Sequence, residues 1–252
     1  MISQKKLHTV SKAKWQELAS SWIDDSQGIN RHCREGLLDD VIFDELGCVK
    51  DMRILDLGCG DGRFSRLLAQ RGAFPTGVDQ CDAFIAHANK YKVNSNETYY
   101  VGDAHHLTQF GDHAFDCVVS YITFVDFVDI SAVVAEVSRV LKKSGKFIVC
   151  NMHPVLLCGD SSLKDNVKGK TLFDLTHYFN EGPITFEIYG TKLTSFHRTL
   201  STHIQTFLKN NFSLVNLIEP KATVEQVKKY PGLGDADQLP IFIIYSLVKN
   251  NM

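Results

Sequence analysis

Three glycines at every second position, Gly58, Gly60 and Gly62, directly follow an apolar strand predicted at Arg53 to Leu57. A helical pattern from Arg63 to Arg71 comes next, so a strand, a glycine turn and a helix succeed one another without a break. Glycine allows the backbone to approach a ligand closely because it has no Cβ. The first turn of the helix offers free N–H groups to an anionic or polar ligand. This segment therefore predicts a ligand-binding loop at the carboxyl end of a strand.

The sequence around this loop alternates between strand and helix patterns. The predicted strands are 53–57, 74–78, 98–101, 115–120 and 146–150, and the predicted helices between them are 62–71, 81–91 and 130–142. Repeated strand–helix units predict a doubly wound α/β fold, with a parallel sheet and helices on both of its faces. Ligands bind such sheets at the carboxyl ends of the strands.

The flanking regions follow other patterns. Helices are predicted at 9–25 and 31–46, a short hairpin at 185–189 and 192–197 around Gly190, and a helix at 201–210. Strands at 212–218 and 241–248 close the chain. We expect a single domain with N-terminal helices (1–48), a binding core (49–151), a small variable cap (152–197) and a C-terminal helix with a strand hairpin (198–252).

Acidic residues lie at the tips of successive predicted strands. Asp79 ends the second strand, and Asp103 and Ala104 follow the third. A single aspartate in such a place is often only a turn former or a helix cap. Together they favour a nucleoside ligand. Asp79 can accept hydrogen bonds from both ribose hydroxyls. Asp103 can accept from an adenine amino group, and the Ala104 N–H can donate to a ring nitrogen.

The glycine spacing separates two kinds of nucleoside ligand. Dinucleotide-binding folds use G-x-G-x-x-G, whereas this chain has G-x-G-x-G preceded by Asp56. This variant resembles the first motif of the class I S-adenosylmethionine-dependent methyltransferases. The resemblance covers nearly the whole chain, and segments such as Asn151 to Pro154 and Phe196 to Ser201 are similar to a subgroup that acts on small molecules. It implies a seven-stranded, mostly parallel, Rossmann-like sheet whose last strand is antiparallel.

The resemblance also implies residue roles around S-adenosyl-L-methionine, which leaves as S-adenosyl-L-homocysteine. The loop Gly58-Cys59-Gly60 would line the methionine part, and Asp56 would help to hold its ammonium group. Asp79 would bind the ribose hydroxyls, and Gln80 would lie along the adenine, although the family often has an acidic or small polar residue there. The remaining expected cofactor residues are Asp103, Ala104, Ser120 and Tyr121.

The reaction implied is transfer of a methyl group to oxygen or nitrogen of a small-molecule acceptor. A base is needed only if the acceptor must lose a proton. His153 is the preferred candidate because it directly follows the fifth predicted strand. Two alternatives remain open: a non-catalytic cofactor-binding partner protein, and another transferase of the same fold. A polyamine synthase requires an acidic pair after the fourth strand to bind its amine substrate. Asp126 and Asp129 lie there, but the surrounding sequence does not match the pattern of such an enzyme.

Composition limits the partners and the compartment. The 252 residues carry a formal net charge of −2 without a basic block, so we expect no nucleic-acid partner. No apolar run approaches the length of a membrane span, and no secretory signal is visible. Seven cysteines without a C-x-x-C pair indicate reduced thiols. We therefore expect a cytoplasmic monomer or homodimer, with neither a membrane association nor a metal.

Overall fold

The computed structural model describes residues 4–24, 29–158 and 175–251. Its helices are α1 (Gln4–Asp24), α2 (Ile29–Cys33), α3 (Asp39–Leu46), α4 (Arg63–Gln70), α5 (Asp82–Lys90), α6 (Ile130–Val140), α7 (Pro154–Leu157), α8 (Leu200–Lys209) and α9 (Val224–Lys229). Its strands are β1 (Arg53–Leu57), β2 (Phe74–Asp79), β3 (Thr98–Val101), β4 (Phe115–Tyr121), β5 (Leu141–Met152), β6 (Gly182–Ile188), β7 (Thr191–His197), β8 (Phe212–Ile218) and β9 (Phe242–Lys249).

Seven of these strands form one sheet in the order β3-β2-β1-β4-β5-β9-β8. Strands β1 to β5 pair in parallel, whereas β9 runs antiparallel to both β5 and β8. The predicted Rossmann-like sheet, with its antiparallel last strand, is thus confirmed. The strand order reverses between β1 and β4, and a crevice forms at the carboxyl ends of strands at such a point.

The central strands are buried on both faces, as continuous apolar runs in a parallel sheet predict. Val118 of β4 joins a core cluster with α6 and α8 on one face, while its neighbours Cys117 and Val119 join a cluster with α3 and α4 on the other. Burial raises the pKa of Cys117 to about 12, so the thiol is protonated at physiological pH. These two packed layers hold the strand tips, and with them the crevice, in fixed positions.

A second, two-stranded sheet pairs β6 with β7 outside the main sheet. The predicted turn around Gly190 is present: Ile188 pairs with Thr191, and Tyr189 and Gly190 have φ of 49° and 77°. Positive φ at both turn residues is what a two-residue type I′ hairpin requires. Residues 159–174 of the predicted cap lie outside the described part of the chain.

Three predicted helices have different boundaries. The helix predicted at 9–25 begins earlier, at Gln4. The pattern at 31–46 gives α2 and α3 with a π-helical turn, Arg34–Leu38, between them. The pattern at 130–142 stops earlier, because Leu141 is extended and pairs with Phe115 as the first residue of β5. Lys142 is therefore a strand residue, not part of a helix C-terminus, and its side chain donates to Asp116 at 2.5 Å.

Candidate functional site

A cavity of about 1040 Å³ opens at the reversal point of the sheet. Residues at the carboxyl ends of β1, β2, β3 and β4 line it, and α1, the π-helical turn and the β6–β7 hairpin close its sides. Binding pockets for small ligands have volumes of about 300–1,000 Å³. The cavity is therefore large enough for a nucleoside cofactor together with a second small molecule.

The glycine loop between β1 and α4 forms the floor of the cavity. Gly58, Gly60 and Gly62 all have positive φ, between 53° and 80°. A Cβ on Gly58 would lie 2.7 Å from the Thr123 side chain, and one on Gly62 would lie 2.8 Å from Ala88. A Cβ on Gly60 meets nothing within 4 Å. Gly58 and Gly62 thus permit close packing behind the loop, while the open side of Gly60 leaves backbone accessible to a ligand.

Asp79, at the tip of β2, anchors this loop. Its Oδ2 accepts from the Gly60 N–H at 2.9 Å, and its Oδ1 accepts from the Cys81 N–H at 2.9 Å. Burial raises the pKa of Asp79 to about 6, against the opposing effect of these backbone hydrogen bonds. Each carboxylate oxygen has a second lone pair, so the group can still accept from a ligand in the cavity.

Asp56 lies deeper, at the end of β1, and is almost fully buried. The Ser65 hydroxyl of α4 donates to its Oδ2 at 2.6 Å. Burial raises the pKa of Asp56 to about 6, although the bond from Ser65 lowers it. Asp56 nevertheless contributes to the cavity wall, so its negative charge lies beneath the glycine loop.

Gln80, Asp103 and Ala104 line the cavity together beyond Asp79. Gln80 Oε1 is buried, and it finds no hydrogen-bond partner among the residues that the structure describes. Buried acceptors are normally paired. This orphan acceptor therefore indicates that a ligand donor completes the site.

Asp103 is held by two histidines. The His105 N–H and ring Nδ1 lie 2.9 and 2.7 Å from its Oδ1, and His8 Nε2 of α1 lies 3.4 Å away. Burial acts to raise the pKa of Asp103, but the hydrogen bonds from His105 outweigh it and hold this pKa at about 2. His105 Nε2 accepts from the Asp129 N–H, so the ring Nδ1 carries the proton and donates to Asp103. Hydrogen bonding thus accounts for this cluster, and Asp103 stays ionised beside the cavity.

Tyr121 borders the cavity, whereas Ser120 does not. Ser120 is fully buried and bonds through Oγ to Thr123 Oγ1 at 2.8 Å. Thr123 in turn donates to the Leu57 carbonyl and packs against Gly58. Alternating strand residues point to opposite faces, so only one of two neighbours can face a ligand. The structure therefore gives Ser120 a supporting position behind Thr123 instead of the predicted place beside the cofactor.

Cys59 lies within the glycine loop and lines the cavity, as predicted. Its side chain packs with Ile85, Ala88 and Tyr99, and burial together with nearby carboxylates raises the pKa of its thiol well above the usual value. A thiol that stays protonated is a poor nucleophile. Cys59 is thus a small packing residue in the cavity wall.

His153 occupies a different place from the one predicted for it. It follows β5 and caps α7: its Nδ1 accepts from the Val155 N–H at 3.2 Å, and its Nε2 lies 3.0 Å from Glu219 Oε1. The side chain is buried and is not part of the cavity wall. Burial lowers the pKa of His153, against the opposing effect of Glu219. Both ring nitrogens are engaged, so the structure gives His153 a structural position and does not bring it into the cavity wall.

The part of the cavity beside the β6–β7 hairpin is mostly apolar. The side chains that share this character are Phe127, Met152, Leu156, Leu157, Ile184 and Phe186. Asp126 and Ser195 lie among them, and the Ser195 hydroxyl donates to Asp126 Oδ1. We call this region the acceptor compartment. The acid after the fourth strand is visible in the sequence, but only the fold shows that Asp126 faces the cavity while Asp129 caps α6.

Comparison with known proteins identifies the family. Residues 55–149 match the methyltransferase domain family. A Listeria monocytogenes structure assigned to the S-adenosylmethionine dependent methyltransferases is 27% identical, with a TM-score of 0.75 over 86% of this chain and 98% of that chain. Residues 55–149 therefore carry a methyltransferase domain, and the chain has the fold of an S-adenosylmethionine-dependent methyltransferase. The methyltransferase therefore uses S-adenosylmethionine as its cofactor.

Curated relatives match part of the chain. A demethylmenaquinone methyltransferase of Thermotoga maritima is 33% identical over 42% of this chain and 46% of its own length. A ubiquinone biosynthesis O-methyltransferase of Pseudomonas fluorescens is 31% identical over 56% of this chain and 63% of its own length. The chain thus spans about half to two thirds of these named relatives. Across the described ranges, each helix is too short or too polar to cross a lipid bilayer.

Proposed function

We propose that this methyltransferase transfers the methyl group of S-adenosylmethionine to oxygen or nitrogen of a small molecule in the acceptor compartment. The observation that carries the proposal is the division of one cavity into two chemically different parts. Carboxylates, open backbone and the orphan Gln80 Oε1 surround one part. The other part, beside the β6–β7 hairpin, is mostly apolar, and its described polar side chains are Asp126, Thr185, Tyr189 and Ser195.

The residues of the first part suit the cofactor. Asp79 would accept from the ribose hydroxyls, and Asp103 with Ala104 would bind the adenine edge. Gln80 Oε1 offers the acceptor that a donor of the cofactor could satisfy. The backbone around Gly58, Cys59 and Gly60 would line the methionine part, with Asp56 supplying negative charge toward its ammonium group. Tyr121 would border the sulfonium end, and its hydroxyl is fixed by a hydrogen bond to Asp39.

The apolar compartment suits the reaction. Methyl transfer from a sulfonium to a neutral nucleophile disperses a positive charge that already exists, so a site with little water does not oppose it. Alignment of the nucleophile with the S–CH₃ bond can supply most of the rate. The residues of this chain would contribute by orienting the acceptor and excluding water from the β6–β7 side.

A small acceptor fits the surface charge better than a nucleic acid does. Four arginines line the cavity, but three of them are paired with carboxylates: Arg31 with Glu35, Arg63 with Asp39, and Arg66 with Asp61. The guanidinium of Arg34 lies over the rings of Trp22 and Tyr121. Binding to a phosphate backbone requires unneutralised cations. This distribution favours an uncharged or weakly charged acceptor.

The test is a transfer assay with methyl-labelled S-adenosylmethionine. Extracted small metabolites, RNA and protein are supplied as acceptors in three separate reactions. We expect label in the small-molecule fraction only. Asp79→Asn should lower this labelling, whereas the matched control Asp82→Asn, an exposed carboxylate on α5, should retain it. Labelling of RNA or protein would overturn the substrate class. Cofactor binding without transfer to any fraction would overturn the catalytic proposal.

A further inference from the structure

Among the residues that the structure describes, the carboxyl group in the acceptor compartment is that of Asp126. This residue ends the short 3₁₀ turn Phe124–Asp126 that follows β4, and it lines the cavity. Ser195 reaches it from β7, on the other side of the compartment. Two separate elements therefore meet at this carboxylate, which keeps it fixed in an otherwise apolar wall.

The fold leaves Asp126 without a direct cationic partner in the described structure. Arg198 and Asp79 are the charged groups whose fields act on it, and they oppose each other. Arg198 directs its Nη2 to the carbonyls of Phe127 and Val128, at 2.6 and 3.0 Å. Buried carboxylates are normally paired with a cation or with several donors. Ser195 supplies one donor, so a lone pair of Asp126 remains available to a molecule in the compartment.

The surrounding walls restrict that molecule to a mostly apolar body. Phe127 lies beside Asp126 in the sequence, Leu156 and Leu157 come from α7, and Ile184 and Phe186 come from β6. Mostly apolar pockets orient a ligand through their few fixed polar groups, and Asp126 is the charged one among the described residues here. An acceptor here would place its only strong hydrogen-bond donor against Asp126.

We propose that Asp126, held by Ser195, binds the O–H or N–H of an apolar, ring-bearing phenol or amine and takes up its proton during methyl transfer. This inference rests on the proposed methyl transfer. For a phenol, the oxygen forms the new C–O bond while the S–CH₃ bond breaks, and its electron pair stays on sulfur. The phenolic proton passes to the Asp126 carboxylate, and the sulfonium becomes a neutral thioether. For an amine, the neutral nitrogen forms a new C–N bond while the S–CH₃ bond breaks in the same way. The resulting ammonium product then releases its proton to Asp126.

The protonation behaviour of Asp126 suits this role. Burial raises its pKa to about 7, while the hydrogen bond from Ser195 acts in the opposite direction. A catalytic base is most effective when its pKa lies near the working pH. Because only the ionised carboxylate accepts a proton, the rate should fall as the pH drops below about 7.

Binding of three matched probes tests the recognition step. They are 2-naphthol, 2-naphthylmethylamine and naphthalene, added to protein saturated with S-adenosylhomocysteine and followed by calorimetry. We expect the wild type to bind naphthol or the amine about tenfold more tightly than naphthalene, which corresponds to one hydrogen bond to a charged group. Asp126→Asn should reduce this preference to about threefold or less. Asp112→Asn, an exposed carboxylate next to Arg139, is the matched control and should keep it.

Transfer from labelled S-adenosylmethionine to the tighter probe tests the proton step. With S-adenosylmethionine kept saturating at each pH, Asp126→Asn should lower the rate by about 100-fold and remove the acidic limb of the pH profile near pH 7. Ser195→Ala should lower it by about three- to tenfold, and it is the variant to read if circular dichroism shows that Asp126→Asn does not fold.

The outcomes separate the two proposals. Naphthalene bound as tightly as both donor probes by the wild type, or binding of none of the three, would overturn the acceptor class. Unchanged rates and pH profiles in folded Asp126→Asn and Ser195→Ala would overturn the role of Asp126. Failure of the wild type to bind S-adenosylhomocysteine would instead contradict the proposed function.

Discussion

Binding of the cofactor should depend on the ionisation of Asp79. Its pKa in the free protein is raised to about 6 by burial, and ribose hydroxyls donate to the ionised carboxylate. A ligand that binds only the ionised form must displace the proton below this pKa. At pH 5 about one molecule in eleven carries the ionised group. The affinity for S-adenosylhomocysteine should therefore be about tenfold lower at pH 5 than at pH 7.5.

The Asp79→Asn variant separates this effect from that of other groups. The amide keeps one acceptor oxygen but loses the charge and one of the two backbone bonds to Gly60 and Cys81. A hydrogen bond to a charged group contributes about 1.5–3 kcal/mol, so the affinity at pH 7.5 should fall by about 10- to 100-fold. The difference between pH 5 and pH 7.5 should become smaller than in the wild type, and the remaining part reports on Asp56, whose pKa is also about 6.

Calorimetry at the two pH values measures both effects, with Asp82→Asn as a control that keeps the wild-type behaviour. Equal wild-type affinities at pH 5 and pH 7.5 would refute the linkage. An Asp79→Asn variant with unchanged affinity at pH 7.5 would show that this carboxylate only shapes the loop.

Three further predictions concern individual side chains. Gly58→Ala should lower the free energy of unfolding in urea by about 1–3 kcal/mol, because the new Cβ would clash with Thr123 and the φ of Gly58 is positive. Gly111→Ala is the control, since a Cβ there meets no atom within 4 Å, and equal stabilities of the two variants would contradict the prediction. His153→Gln should lower the melting temperature and keep turnover; a 100-fold loss in a folded variant would place His153 in catalysis. Burial lowers the pKa of His203 to about 3 beside the Tyr245 hydroxyl, so its folded form binds fewer protons than the unfolded chain and stability falls below pH 6.5. His203→Gln should remove about 2 kcal/mol of the loss between pH 7 and pH 5, and urea unfolding showing the same loss in both proteins would refute this.

That the glycine loop, Asp79 and Asp103 share one cavity could be predicted, because the signals are local. The glycines stand directly between a strand and a helix, and Asp79 and Asp103 stand at strand tips, so the parallel sheet brings them together without further information. All three regions line one cavity in the structure. The place of Tyr121 in the cavity wall was predicted in the same way, from its position at the tip of the fourth strand.

Other features depend on contacts that no short sequence window contains. Ser120 and Tyr121 are equally close to a strand tip, and only the pleat decides which one faces the cavity. Leu141 leaves the helical pattern because Phe115, far away in sequence, pairs with it. Tertiary pairing overrides a local helical preference in such cases.

The acceptor compartment was the least predictable part. His153 has the residue type and the sequence position expected of a base, but Glu219 and the Val155 N–H engage its ring. Asp126 gains its importance from Ser195, which is 69 positions away in the sequence and comes from a hairpin outside the main sheet. Loops and caps of this kind carry specificity, and their contacts follow from the assembled fold rather than from periodicity.

A crystal structure of the protein with S-adenosylhomocysteine is the most decisive measurement. We expect one ligand per chain, with its ribose hydroxyls on Asp79, its adenine beside Gln80, Asp103 and Ala104, and its sulfur facing the acceptor compartment that contains Asp126. An adenine bound elsewhere, or a sulfur that faces away from this compartment, would contradict both the cofactor site and the direction of methyl transfer that we infer.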